Sequence, residues 1–235
     1  MPADGGCQTG DGTGAGVAYP PEPWLLRGDF AVAVFLVPVR ELPAEVTAQL
    51  PGGARPLVLA GRAAVGVAAV QYTPGGVLAY DELLVALPVV HRGRLAVTIP
   101  QIWVSSPASR AGGRALWGIP KELMNARRLS NGRRFQALYR NEDRSILAET
   151  SMSVRRSIPG TWSLPLPTVQ RAEDAANRPS AFIRSSNSVR GKLHLAHTQW
   201  TFGSSLSWLQ GRRPVLSAAI TRASVVFGAH VERRH

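Results

Sequence analysis

The sequence predicts an α+β protein built mainly from antiparallel strands, and three observations support this. Short apolar runs recur from Tyr19 onward, at 30–39, 57–71, 77–90, 95–104, 135–139, 146–154, 193–202 and 223–231, with Gly, Pro or Asn-Gly punctuating the gaps. Asn131-Gly132 separates "MNARRLS" from "RRFQALYR", and that dipeptide supplies the positive φ angles a tight hairpin turn requires. Helix signals are confined to a few short stretches.

Residues 1–18 are dominated by glycine and lack hydrophobic periodicity, so burial could not repay the entropy of ordering them. They are expected to form a flexible tail. Cys7, the single cysteine, lies within it and cannot form an internal disulfide, which leaves an exposed thiol as the expectation. The first helix is expected over about 107–117. Ser106 offers an N-cap, Pro107 suits the first helical position and Gly118 offers a stop, although Gly112-Gly113 should weaken the interior. A second helix is expected after Pro214, in "VLSAAIT", leading into a closing strand "ASVVFGAHV". Residues 159–190 are rich in Pro, Ser and Arg and read as a long irregular excursion with a short helical turn around "QRAEDAA". Excursions of this length often serve as lids or interface arms. No repeat or sharp change of composition divides residues 19–235, so one domain is the economical expectation.

At 235 residues and 45% hydrophobic content the chain can bury a substantial core. Its net charge of +12 fits nucleic acid, an anionic membrane surface or an anionic small substrate and does not choose among them. "FAVAVFLVPV" is about half the length of roughly 20 residues that a bilayer requires, and no charged-then-apolar leader opens the sequence. A cytoplasmic location is therefore expected.

The chemistry concentrates near "ALWGIPKELMNARR". Lys121 is one of two lysines in a chain that otherwise takes its positive charge from arginine, and it follows Pro120 among the apolar neighbours Trp117, Ile119 and Leu123. Arginine keeps its proton in proteins, whereas a lysine in an apolar pocket can surrender it, attack a ketone and form an imine. The protonated imine then withdraws electrons from the adjacent carbon. In "YDELL", Tyr80, Glu82 and Leu84 would share one face of a strand while Asp81 points away. On an inward face Glu82 can move protons at the imine or enamine stage.

"GRALWGIPKEL", Gly113 to Leu123, resembles the segment of acetoacetate decarboxylases in which a Gly-Arg pair precedes an aromatic-rich turn and a Pro-Lys-Lys motif. Lys121 matches the Schiff-base-forming lysine, and Tyr80-Asp81-Glu82 resembles that family's Tyr-x-Glu, with Glu82 facing the substrate. "PWLLRGDFAVAVFLVP" resembles the opening strand of the family's shorter relatives, and a looser likeness covers most of the chain. The resemblance implies a large antiparallel sheet curved into a barrel or cone with few helices, a homo-oligomer and no cofactor or metal. The implied function is a carbon–carbon lyase that decarboxylates a β-keto acid through a Lys121 imine, with Arg27, Tyr80, Trp103, Arg114, Trp117 and Ile119 around the ketone or oxo-acid substrate. Two departures bear on this. Glu122 stands where the family has its second lysine, and the carboxylate-binding arginine has no clear counterpart, Arg27 being nearest and Arg62 a further choice. Glu122 would leave the pocket if the strand alternates, but the helix end expected before Gly118 would favour the ammonium form of a nearby amine. Aldol condensation, dehydration or cyclisation through the same imine is the leading alternative, and a non-catalytic ligand- or nucleic-acid-binding relative is the other.

Other signals point less far. His194 and His197 fall on opposite faces of a strand and have no acidic or cysteine partner to complete a metal set. His91 reads as a hairpin-end residue, and "GSSLSW" lacks the nucleophile-elbow spacing of serine hydrolases. Arginine pairs at 127/128, 133/134, 155/156, 212/213 and 233/234 are dispersed without an aromatic-basic module, so nucleic acid is an improbable partner.

Overall fold

The structure is a computed structural model that describes residues 16–131, 133–172 and 181–234. The strands are β1 (Trp24–Pro38), β2 (Arg55–Pro56), β3 (Val58–Leu59), β4 (Arg62–Tyr72), β5 (Tyr80–His91), β6 (Arg94–Val104), β7 (Lys121–Asn131), β8 (Arg134–Asn141), β9 (Ile146–Ser157), β10 (Trp162–Pro165), β11 (Thr168–Arg171), β12 (Phe182–Phe202) and β13 (Leu216–Arg234). Among the described residues two α-helices accompany them, α1 (Ala44–Ala48) and α2 (Pro107–Trp117), with short 3-10 turns at Val39–Glu41 and Ser204–Leu209. The protein is thus α+β and mainly antiparallel, as the apolar runs predict.

Hydrogen bonding links β6-β7-β8-β9-β12-β13-β1-β4-β5, and β5 pairs back with β6, so the sheet curves into a closed ring. The β7–β8 hairpin forms where Asn131-Gly132 predicts it, with Asn131 opposite Arg134; Gly132 itself lies outside the described residues. A second tight hairpin joins β5 to β6 through Arg92-Gly93, both at positive φ, with His91 at its end as expected. Parallel pairing enters where α2 crosses from β6 to β7, so that Ile102–Val104 run alongside Lys121–Leu123.

Strands β4 and β5 read as nearly continuous apolar runs because both of their faces are covered. On one face Val65, Val67, Leu83 and Val85 join Phe35, Tyr139 and Leu147 in a densely buried core. On the other Val70, Tyr72 and Tyr80 join Trp24, Ile102, Trp117, Ile119 and Val225 in a second, smaller cluster. Alternation along each strand decides which side chain joins which.

The helix expected at 107–117 is α2, capped as predicted. The Ser106 hydroxyl accepts from the Ser109 N–H at 3.2 Å, Pro107 opens the helix, and Gly118 closes it at φ 62°. The helix expected after Pro214 is not there. "VLSAAIT" runs into β13, because Leu216–Ile220 pairs with Val34–Phe30 and Ala218–Ile220 pairs with Leu195–Leu193 on the other edge. Two flanking strands satisfy its backbone and override a weak local preference. In the 159–190 excursion the described residues form β10, β11 and the start of β12, so Gln170 and Arg171 are extended instead of helical. Residues 173–176 of the "QRAEDAA" turn lie outside the described residues, as do residues 1–15 of the expected tail, including Cys7. No helix among the described residues is long and apolar enough to cross a membrane.

Candidate active site

The βαβ connection positions Lys121. Residues in register across the sheet are Leu84, Ile102 and Lys121, while Glu82 lies one pleat along the same face of β5, opposite Val70 of β4. Lys121 opens β7 immediately after the Gly118 cap, its N–H donating to the Ile119 carbonyl at 2.7 Å. Arg114 donates from Nε to the Lys121 carbonyl at 2.7 Å and pairs through its outer nitrogen with the Glu122 carboxylate, so it anchors the start of β7 at these two neighbouring residues.

The Lys121 side chain then runs back along α2. A β-carbon added at Gly113 would lie 2.5 Å from Lys121 Cδ and 2.7 Å from Cε, and one at Gly112 would lie 2.5 Å from the Trp24 ring. The glycine pair that weakens the helix on propensity is therefore the surface that lets Lys121 and Trp24 approach it. The amine ends beside Ser109, in the first turn of α2, and not at the helix end that favours ammonium. That corrects the expectation placing it near the C-terminus.

All three ammonium protons have acceptors: Ser109 Oγ at 2.9 Å, Glu82 Oε2 at 3.1 Å and the Tyr80 hydroxyl at 3.4 Å. Tyr80 in turn donates to Glu82 Oε2 at 3.3 Å. Lys121 and Glu82 are each only 4% exposed, so this is an ion pair withdrawn from water. Burial, reinforced by the charge of Glu82, raises the phenols of both Tyr72 and Tyr80 well above the usual tyrosine value. The two tyrosines remain neutral donors at any physiological pH.

These groups border an apolar cavity of about 60 Å³, walled by Trp24, Leu26, Phe30, Leu166, Val225 and Phe227 among others. The aromatic wall is continuous. Trp24 meets Trp117 edge-on at 4.8 Å, and Trp117 meets Phe227 at 4.6 Å. Gly228, at φ 74°, leaves the space that Trp117 fills, since a β-carbon there would lie 2.6 Å from its indole nitrogen.

Of the residues singled out from sequence, Lys121, Glu82, Tyr80, Trp117 and Ile119 meet at this cavity. Four do not line it. Arg27 is exposed, because alternation on β1 sends Trp24 and Leu26 inward and Arg27 out; Arg62 is exposed as well. Trp103, level with Leu83 and Glu122 on the opposite face, is packed into the larger core. Arg114 supports the backbone of Lys121 from behind with a part-exposed side chain. Asp81 points away, as expected, and pairs with Arg128 at 3.1 Å, while Glu122 is exposed. Sequence reasoning missed Tyr72, Ser109 and Trp24. Tyr72 was within reach, because it ends an apolar run and the β4–β5 hairpin sets it opposite Tyr80.

The other signals resolve structurally. His194 lies between the Ser157 and Thr221 hydroxyls at 2.9 and 2.8 Å, and no cluster of three metal-ligating side chains occurs among the described residues. Arg128, Arg212 and Arg233, one from each of three arginine pairs, are engaged by Asp81, Glu41 and Glu22.

A search of curated protein sequences finds no match. Among solved structures the chain is similar in fold to acetoacetate decarboxylase from Legionella pneumophila, with a TM-score of 0.70 at 14% identity over 93% of this chain and 90% of that one. It is also similar to the enduracididine biosynthesis enzyme MppR complexed with pyruvate, with a TM-score of 0.65 at 19% identity over 94% and 93% of the two chains. An acetoacetate decarboxylase-like enzyme from Sphingomonas wittichii gives 0.60 at 13% identity, over 91% and 93%. The family model described as acetoacetate decarboxylase (ADC) matches residues 14–178. With well over half of its length matched, the chain belongs to the acetoacetate decarboxylase (ADC) family.

Proposed function

We propose that this chain is a Schiff-base enzyme, a lyase of carbonyl compounds in which Lys121 is the nucleophile and Glu82 the proton carrier. One observation carries the reading: the Lys121 amine, shielded from solvent at the border of an apolar cavity, lies 3.1 Å from the Glu82 carboxylate. Glu82 is placed to take the proton that the amine must lose before it attacks a carbonyl. The Tyr80 phenol, held protonated, is placed to donate to the oxygen that leaves as water. The cavity excludes bulk water, so that the imine is not hydrolysed as fast as it forms.

The protonated imine is an electron sink. In a decarboxylation it accepts the pair released as carbon dioxide departs, and the resulting enamine is protonated by Glu82 or water. In an aldol, dehydration or cyclisation sequence it accepts the pair left when a proton leaves the adjacent carbon. The likeness to MppR, seen with pyruvate, favours a carbonyl ligand at this site, and the family's name favours the lyase class. Arg114 contributes by holding the backbone of Lys121 and not by touching substrate.

The reading is tested with borohydride and a panel of small ketones, aldehydes and oxo acids. A stable mass increase, mapped to Lys121 and absent from Lys121→Arg, is the expected result. No adduct with any carbonyl compound would instead favour a binding protein that kept the fold without the chemistry.

A further inference from the structure

Ser109 touches the Lys121 amine without bordering the cavity. It is fully buried on α2 and accepts from Nζ at 2.9 Å, the shortest of the amine's three contacts, whereas Glu82 and Tyr80 both line the cavity. The three acceptors are thus of two kinds. Two face the space that a carbonyl compound enters, and one lies on the helix side. Ser109 and Gly113 are four residues apart and share a face of α2, so the Lys121 methylenes cross the helix at Gly113 and deliver the amine to the hydroxyl one turn earlier. Burial raises the Tyr80 phenol, and the Ser109 hydroxyl lies close enough to pull it the other way. With its proton turned toward Tyr80, the hydroxyl keeps a lone pair for the nitrogen.

Condensation with a carbonyl compound removes two of the three ammonium protons, which leave with the carbonyl oxygen as water. The nitrogen of the resulting iminium carries Cε, the new carbon and one hydrogen, all in a single plane. The new carbon arrives from the cavity and so displaces the N–H bonds that face Glu82 and Tyr80, and the hydrogen that stays is the one on Ser109. Two consequences follow from that geometry. Glu82 is released from the nitrogen and can exchange a proton with the carbon next to the imine. The plane of the C=N bond is also held, because Cε and the N–H are both held. The bond to be broken must stand perpendicular to that plane to feed its electrons into the sink, so a fixed plane presents it to one face.

We propose that Ser109 binds the iminium N–H and sets the plane of the C=N bond, leaving Glu82 for proton transfer at carbon. This rests on the Schiff-base reading of Lys121. A neutral hydroxyl suits the task, since it accepts the hydrogen bond without cancelling the positive charge on which electron withdrawal depends. In Ser109→Ala the N–H would turn to Glu82, the strongest acceptor left, and the base and the plane would both be lost to the reaction.

Pyruvate and isopropyl methyl ketone serve as probes, because borohydride reduction of either iminium creates a new stereocentre on the carbon attached to Nζ. The trapped protein is hydrolysed and the two diastereomers of the modified lysine are separated, while exchange of the probe's α-hydrogens is followed in heavy water. The wild type is expected to give one diastereomer in about tenfold excess, as a single exposed face of the iminium requires. Ser109→Ala should still be trapped at Lys121, because the hydrogen bond is lost from the ammonium and the iminium alike. Its diastereomers should approach parity, and its exchange per trapped iminium should fall by about tenfold or more, the scale of a hydrogen bond to a charged group. Ser109→Thr, which keeps the hydroxyl, should restore the bias. A folded Ser109→Ala protein with bias and exchange within about twofold of the wild type would overturn the assignment to Ser109 while leaving the Schiff-base reading intact. So would a wild type that yields both diastereomers equally, a result that does not depend on any variant folding. Trapping of neither probe by the wild type would overturn both.

Discussion

Leu83 and Leu84 are neighbours on one strand and belong to two different interiors. Leu83 is fully buried in a core of Phe35, Val85, Tyr139 and Leu147, where side chains fill the space. Leu84 faces the cavity with Glu82, Lys121 and two tyrosines, where space and charge are left in place. The same strands therefore stabilise the fold with one face and hold a costly ion pair with the other. A buried pair of this kind contributes little net stability, since desolvation offsets its attraction, so its presence argues for chemistry more than for folding.

The sharpest test of that contrast is to make the second face resemble the first. Lys121→Met alone should cost about 3–5 kcal/mol, because it strands Glu82 without its partner. Adding Glu82→Leu should return the protein to wild-type stability or raise it by about 1–4 kcal/mol, with activity lost. Chemical denaturation of the two variants measures both; a double variant no more stable than the single one would mean that the pair supports the fold. At the neighbouring leucines, Leu83→Ala should cost about 2–5 kcal/mol and Leu84→Ala roughly 1 kcal/mol. The second should also enlarge the cavity and admit a bulkier ketone in trapping assays.

The tyrosines extend the comparison. Tyr139, in the larger core, and Tyr72 and Tyr80, at the site, all hold their protons more tightly in the folded state, mainly through burial. A raised phenol contributes stability that is complete below the unfolded value near pH 10 and is lost as pH rises above it, so alkaline unfolding should begin there. Glu82 adds to the shift at Tyr72 and Tyr80 and is not among the causes at Tyr139. In Glu82→Gln the two site tyrosines should therefore ionise at lower pH than in the wild type, with Tyr139 unmoved, as followed by phenolate absorbance or NMR. The smallest effect is expected at Glu122, which is exposed and paired with Arg114. Glu122→Lys should cost no more than about 1 kcal/mol, as exposed ion pairs do, and should leave trapping at Lys121 within about twofold, because the new lysine would face solvent.

Much of this was legible in the sequence. The strand runs, the Asn131-Gly132 hairpin and the Ser106-Pro107 start of α2 are local signals, and local physics sets them. Lys121 and Glu82 were legible because alternation on a strand assigns faces without knowing the partner. What could not be read depended on which residues distant in sequence come together. Trp103 and Trp117 look equally suited to an apolar pocket, but a single residue of phase sends the first to the other core. Gly112-Gly113 looks like a flaw until Trp24, nearly ninety positions earlier, and Lys121 are seen packed against it. "VLSAAIT" is a plausible helix alone and a strand only because β1 and β12 flank it.

The central claim is that Lys121 forms and releases an imine in a closed apolar site. Each cycle of formation and hydrolysis replaces the carbonyl oxygen of the ketone with one from water, so the direct measurement is oxygen exchange into isopropyl methyl ketone in heavy-oxygen water. The account predicts exchange well above the uncatalysed rate with the wild-type protein and none above it with Lys121→Arg. Equal exchange by the two proteins, or none by either, would contradict it.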